Sequence, residues 1–315
     1  MDRAPPVAGG TLLLLAFLWL AARLLIALPT PWLLGAAVET GFWLMLTGLF
    51  THEVVVARNT RNLPVSVALG LLGGASAVDW LETAGVLPDQ NIGPRLALTV
   101  LVGLIALIGG RIVPNFTRTW LKQHQISDVP PPPDRLDHIA LGLTIASMAG
   151  WTAFPQSPMV ALLLALAGLA TVAQLARWRG AATGAEGLVW ILHVAYAGVP
   201  VGLLVLAAAV WRPAWGLDGA ALHALGAGAI TLMVVAIMTR ATLGHSGLAL
   251  RADAPTRWIY GFLLIAALAR GGAAVPGTPY WPLLLISGGA WIAGFLVYLG
   301  RYGVIQARGA GPQPR

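Results

Sequence analysis

The stretch His223–Leu250, HALGAGAITLMVVAIMTRATLGHSGLAL, decides what kind of chain this is. From His223 to Met238 it holds no charged residue, and a polar cluster begins abruptly at Thr239-Arg240. A bilayer crossing needs about 20 predominantly apolar residues in one helix, and this run reads as such a crossing. Its polar groups stand at the two ends, His223 at one and Arg240 with His245 at the other. Ionisable side chains in or beside hydrocarbon are costly, so they are read first as groups that pair, ligate or transport.

Composition extends that reading to the whole chain. The 315 residues are 57% hydrophobic and 10% charged, against roughly 25% charged in an average soluble domain. Mean hydropathy is +0.78. The expected fold class is all-α: a polytopic integral membrane helix bundle, solvated by the lipid bilayer, with 1–315 as a single transmembrane domain. The net charge of +7 does not point to nucleic acid, because no basic patch is interleaved with aromatics. Cysteine is absent, which removes disulfides, thiolate metal sites, iron–sulfur clusters and cysteine-attached haem. Any metal must rely on His, Met, Tyr or carboxylate.

Hydropathy and turn residues predict about ten transmembrane helices, near 11–28, 32–51, 63–78, 96–113, 139–154, 158–176, 186–210, 220–242, 258–274 and 281–299. The first is longer than the apolar core of a signal peptide and lacks a convincing cleavage site, so it is read as a helix that stays. Arg23 and Glu39 lie about 8–10 Å from the turn shared by the first two helices, at 1.5 Å per residue, and are expected to pair. Residues 123–138 form a proline-rich loop, since Pro130 to Pro133 favour an extended conformation. Residues 302–315 form a polar tail. With ten crossings nearly every Arg and Lys falls on the side of the termini, and only Arg95, Arg212 and Arg270 fall on the other. The excess of positive charge on cytoplasmic loops then puts both termini, the 123–138 loop and the tail in the cytoplasm. Trp32, Trp80, Trp211, Trp215 and Trp281 gather at the outer helix ends, as interfacial aromatics do.

Three histidines are candidate ligands: His193, His223 and His245. His193 lies about 10 Å from the cytoplasmic end of its helix and His223 about 5 Å from the outer end of the next. In a core about 30 Å thick they are then about 15 Å apart along the normal. One ion with metal–nitrogen bonds near 2 Å would bridge them only with difficulty, so they serve two sites or one is structural. His245, in Thr-Leu-Gly-His-Ser-Gly, is a ligand or a histidine capped by helix-end carbonyls. His52, His124 and His138 lie at a helix end or beside the proline-rich loop and read as surface groups. On the cytoplasmic side Arg111, Asn115, Thr117 and Arg118 end the fourth helix, and Arg240 and His245 end the eighth. Guanidinium groups hold carboxylates and phosphates in bidentate geometry. With His193 one to two turns deeper, Arg111, Arg118 and Arg240 would suit the propionates of a haem. The same arginines also fit an ordinary positive belt facing lipid headgroups, and both readings stand.

At these residues the sequence resembles the NnrS family of bacterial membrane proteins. The matching pieces are RNTRNLP, GGRIVPNFTR at 109–118, LHVAYA at 192–197 and the HALGAG…MTRATLGHSGLAL stretch. The resemblance runs from near residue 5 to Arg301-Tyr302. It implies haem and copper as cofactors, a bacterial inner (plasma) membrane location and a role in the response to nitric oxide or nitrosative stress. Family members usually carry about twelve helices and begin with a pair bearing an HxHE segment, which is absent here. The expectation is a short member lacking that first helix pair, or a subunit whose partner supplies the rest; the partners expected beside the bilayer are another membrane subunit or further copies in a homo-oligomer. Two other classes remain alongside. One is a cofactor-free accessory or scaffold subunit of a membrane complex. The other is a small-molecule transporter, against which stands the lack of paired interrupted half-helices or an internal repeat. No phosphate loop or nucleophile elbow is present, so no enzymatic reaction is assigned.

Overall fold

The structure is a computed structural model that describes residues 9–308. Among these residues the chain is helical with no strand, and ten long helical segments follow one another. They are α1 Gly10–Ala27, α2 Trp32–Val56, α3 Leu63–Thr83, α4 Ile92–Gln123, α5 Arg135–Ala153, α6 Pro158–Ala176, α7 Gly187–Trp211, α8 Asp218–His245, α9 Ala254–Ala273 and α10 Tyr280–Ala307. Eight are long and apolar enough to cross a membrane. The exceptions are α5 and α9, of 19 and 20 residues, whose polar ends (Arg135, Asp137 and His138; Thr256, Arg257 and Arg270) dilute otherwise apolar spans. The protein is a multi-pass helical membrane protein.

The helix boundaries follow local chemistry. Pro158 takes the first turn of α6, where a missing N–H costs nothing. Glu186 caps α7 by accepting the Leu188 N–H at 3.0 Å. Asp134 caps α5 in a reciprocal box with Asp137, each carboxylate taking a backbone N–H of the other's turn. Asp253 caps α9 by accepting the Thr256 N–H.

Several helices outrun the sequence expectation. The third was expected to stop near Val78, yet α3 continues to Thr83 through Asp79 and Glu82. The reason is that the Glu82 carboxylate accepts the backbone N–H groups of Gln90, Ile92 and Gly93, so it closes the start of α4 instead of ending α3. The fourth helix runs on to Gln123, past Pro114, because a π-helical turn at Ile105–Gly109 precedes the proline and shifts the register. A longer π stretch, Ala224–Thr231, interrupts α8, and a third, Leu299–Gly303, carries α10 on to Arg308. The first seven residues of the predicted polar tail, 302–308, are therefore helical, and the rest lies outside the described residues.

The chain divides into two compact units, Met1–Leu104 and Ile105–Arg315. In the first, α1 to α3 and the beginning of α4 form successive hairpins around a small core of Ala68, Leu72 and Val100, with Trp43 and Leu101 packed on it. Arg23 and Glu39 pair as expected, Nη2 to Oε1 at 2.5 Å. In the second, α7 is the central post, packed against α6, both halves of α8 and the later part of α4. Its Gly198 meets the π stretch of α8 backbone to backbone: a Cβ there would lie 2.6 Å from the Ala229 nitrogen.

Candidate functional site: a buried histidine and its polar chain

The site forms where the end of α6, the start of α7 and the later part of α4 meet. On α7, Val189, His193, Tyr196 and Pro200 fall at helical spacing on one face. Just beyond α6, Arg179 adopts a left-handed conformation, φ 57° and ψ 34°, which few residues other than glycine adopt. That turn swings Gly180 onto the His193 ring so tightly that a Cβ on Gly180 would lie 2.5 Å from the ring's Cδ2. Only glycine fits there.

His193 is buried, 7% exposed, and both ring nitrogens have partners. Nδ1 lies 3.2 Å from the Val189 carbonyl and Nε2 lies 3.2 Å from the Thr117 hydroxyl. The Val189 carbonyl can only accept, so it selects the tautomer with the proton on Nδ1 and leaves the lone pair on Nε2. Thr117 Oγ1 is also 2.8 Å from the Val113 carbonyl. One hydroxyl has one proton, so Thr117 serves either His193 Nε2 or Val113 at a given moment. The Nε2 lone pair can therefore be released while the hydroxyl stays satisfied.

Trp178, almost wholly buried, packs its ring edge-on to His193 with centroids 6.5 Å apart and tilted on Tyr196 at 4.6 Å. Tyr196, also fully buried, donates to Gln174 Oε1 at 3.0 Å. Gln174 Nε2 in turn donates to Asp137 Oδ1 at 2.9 Å. The other Asp137 oxygen accepts the Asp134 backbone N–H, and Arg177 donates through both terminal nitrogens to the Asp134 carboxylate. A hydrogen-bonded chain thus runs from the buried tyrosine to an ion pair at the helix ends. Outside the membrane-spanning segments, the Arg177 guanidinium holds the Asp134 carboxyl well below the ordinary carboxylate range. Beside His193 lies a cavity of about 550 Å³, walled largely by Gly180, Ala181, Ala182, Ala176 and Ala197. Its one cation is Arg179, which pairs with Asp128.

The remaining candidates sit elsewhere. Arg118 donates from Nε and Nη2 to the Pro130 and Pro131 carbonyls, at 3.2 and 2.8 Å, and so pins the proline-rich loop. Arg240 lies over the Phe116 ring at 4.0 Å, a cation–π contact. Arg111 is exposed. None of these three lines the His193 cavity. His245 is exposed at the last position of α8, and His223 is half-buried at the other end of the same helix, immediately before its π stretch. At 1.5 Å per residue the two are about 33 Å apart. Among the described residues, no three His, Asp or Glu side chains come together in a way that could hold a metal ion, so His193, His223 and His245 do not share one centre. His124 and His138 bond to the carbonyls of Trp120 and Asp134 four residues back, as surface histidines do.

A family model described as NnrS protein matches residues 1–308. The chain belongs to the NnrS family. No curated protein and no solved structure matches it. Of the segments that carried the resemblance to NnrS, GGRIVPNFTR supplies Thr117 and LHVAYA supplies His193 and Tyr196, and these meet in the structure. Trp178, Gln174, Arg179 and Gly180, which complete the site, went unassigned in the sequence. Two signals mark them: a lone glutamine in the otherwise apolar α6, and an Arg-Trp-Arg-Gly turn where α6 ends.

Proposed function

We propose that this NnrS-family protein is a haem-binding protein of the bacterial inner membrane, with both termini in the cytoplasm, acting in the response to nitric oxide or nitrosative stress. The observation that carries the reading is His193: a buried imidazole whose Nδ1 lies against the Val189 carbonyl and whose Nε2 lies 3.2 Å from the Thr117 hydroxyl, which can turn to Val113 instead. Ligating histidines are fixed in this way, with the second nitrogen donating to a carbonyl or carboxylate that sets tautomer and ring orientation. The neighbouring cavity is within the range of small-molecule and cofactor sites, about 300–1,000 Å³, and its walls combine glycine and alanine with Leu175, Trp190 and Val194.

The residues present fit one nitrogen donor. His193 would hold the iron, with Val189 and Thr117 governing its two nitrogens and Trp178 fixing the ring. Arg179, placed in the cavity, takes the anion-anchoring part that sequence reasoning gave to Arg111, Arg118 and Arg240; a carboxylate there would exchange with Asp128. When bound, haem supplies a centre for diatomic ligands and one-electron exchange. Copper has no comparable donor set among the described residues, and no role is derived for it.

The test is the optical spectrum and metal content of the purified full chain. A Soret band with stoichiometric iron, both lost in His193→Ala and kept in His245→Ala and His223→Ala, is the expected result. A preparation with neither Soret band nor iron after expression with ample haem overturns the reading.

A further inference from the structure

The first unit contains a cavity of about 590 Å³ between α1, α2, α3 and the start of α4, remote in sequence from His193 and unused by the proposal above. Its floor and mouth are apolar, with Leu25, Ile26, Leu72 and Leu101 among the walls. Its polar wall carries Arg23, Glu39 and Asp79 together with the indoles of Trp43 and Trp80.

The charges there are not equivalent. Glu39 uses one oxygen on Arg23, at 2.5 Å, and the other on the Trp80 indole N–H, at 2.9 Å. Arg23 is thereby neutralised, and the net charge of the wall is that of Asp79. Asp79 is exposed, and no hydrogen bond or ion pair engages its carboxylate among the described residues. The Trp43 indole nitrogen is buried and has no partner among them either. The lining therefore presents one unspent anion and the indoles of Trp32, Trp43 and Trp80 beside an apolar trough.

The backbone is built to keep that arrangement. Gly93 touches the Asp79 backbone, where a Cβ would lie 2.6 Å from the Asp79 nitrogen. Gly35 and Gly73 admit Trp80 and Trp43 in the same way, with would-be Cβ contacts of 2.5 and 2.9 Å. Glu82 locks α4 onto α3 through three backbone N–H groups.

An ammonium is the group that a free carboxylate in an aromatic-lined cavity recognises. The trough asks for hydrocarbon. We propose that this cavity binds an ammonium-headed amphiphile, with the ammonium on Asp79 and the chain along the apolar wall. Phosphatidylethanolamine from the surrounding bilayer has this chemistry, as does a free long-chain primary amine.

The experiment is native mass spectrometry of the full chain, exchanged in micelles against phosphatidylethanolamine, phosphatidylglycerol of the same acyl length, or dodecylamine. The wild type is expected to retain phosphatidylethanolamine at least fivefold over phosphatidylglycerol. Asp79→Asn should abolish the preference, and Asp89→Asn, a carboxylate outside the cavity, should leave it intact. Asp79-dependent retention of dodecylamine but not of phosphatidylethanolamine supports the site and assigns it to free amines. Equal retention of both phospholipids with no binding of dodecylamine in the wild type overturns the proposal, even if a variant fails to fold. Retention of either ligand unchanged in a folded Asp79→Asn protein overturns it as well.

Discussion

The two units of this chain solve the membrane problem in different ways. In the first, only 11% of the crossing stretch of α1 and 6% of that of α2 is buried, while in the second 61% of that of α7 is buried. A helix that is mostly exposed finds specificity in a few polar contacts, here Arg23, Glu39 and Trp80. A central helix such as α7 finds it in close packing, with glycines that let backbones touch, as is usual for helix pairs in lipid. The lesson is that charge sits where packing is thin, and that the buried histidine sits where packing is dense and the ring can be fixed.

The sharpest way to break that contrast is a single methyl group at two glycines. Gly198→Ala puts a Cβ against the backbone of the α8 π stretch, with no flexible side chain to give way. We expect a loss of about 1–3 kcal/mol of unfolding free energy, the usual range for overpacking, read by denaturant titration in micelles. In the first unit, removing one polar partner should matter next most. Glu39→Ala leaves the Trp80 N–H without an acceptor and Arg23 without its counter-charge, at a cost of about 1–2 kcal/mol. An unchanged midpoint would mean that the ion pair contributes nothing there. The opposite sign is expected at Gly48 of α2, where a Cβ meets nothing within 4 Å. Gly48→Ala should stabilise by about 1 kcal/mol or less through helix propensity alone.

The smallest effect concerns the surface end of the Tyr196 chain. The Asp134 carboxyl is held below its ordinary range chiefly by the Arg177 hydrogen bonds. A depressed folded-state pKa contributes stability that is fully present above the unfolded value near 4 and is lost as pH falls through the folded value. The difference in melting temperature between wild type and Asp134→Asn should therefore be flat from pH 7 to about 5 and narrow below about 4. A difference that widens on acidification would contradict the assignment. Asp253, which caps α9, follows the same sign: burial opposes ionisation, but the Thr256 hydroxyl and N–H and Arg301 together bring its carboxyl below the ordinary value.

Much of the fold was legible because the signals were local. The span of α6 was read to the residue, since Pro155-Gln156-Ser157 and Arg177 bracket an uninterrupted apolar run. The Arg23–Glu39 pair followed from distance to a shared turn. Where the sequence misled, a polar residue had a non-local task. Glu82 looked like the end of α3, but it closes α4. The π stretch at Ala224–Thr231 leaves no mark in ALGAGAIT, whose composition suits an α-helix equally well. At the site, His193 could be singled out as a polar residue in an apolar helix, and Thr117 as part of the polar cluster that ends the fourth helix. Trp178 and Gly180 carried only the coarser mark of the Arg-Trp-Arg-Gly turn, because their part depends on the left-handed conformation of Arg179, which a one-dimensional pattern does not encode. The arginines were read by charge alone, and Arg118 turned out to hold loop carbonyls.

The central claim is that His193 Nε2 would hold the iron of a haem, and cavity complementation tests it most directly. In His193→Gly the ring is removed, and free imidazole can occupy the space bounded by Gly180, Trp178 and Thr117. Loss of the Soret band in the variant and its return on adding imidazole to the haem-supplemented protein is the predicted result. A Soret band in His193→Gly identical to that of the wild type, and indifferent to imidazole, would contradict it.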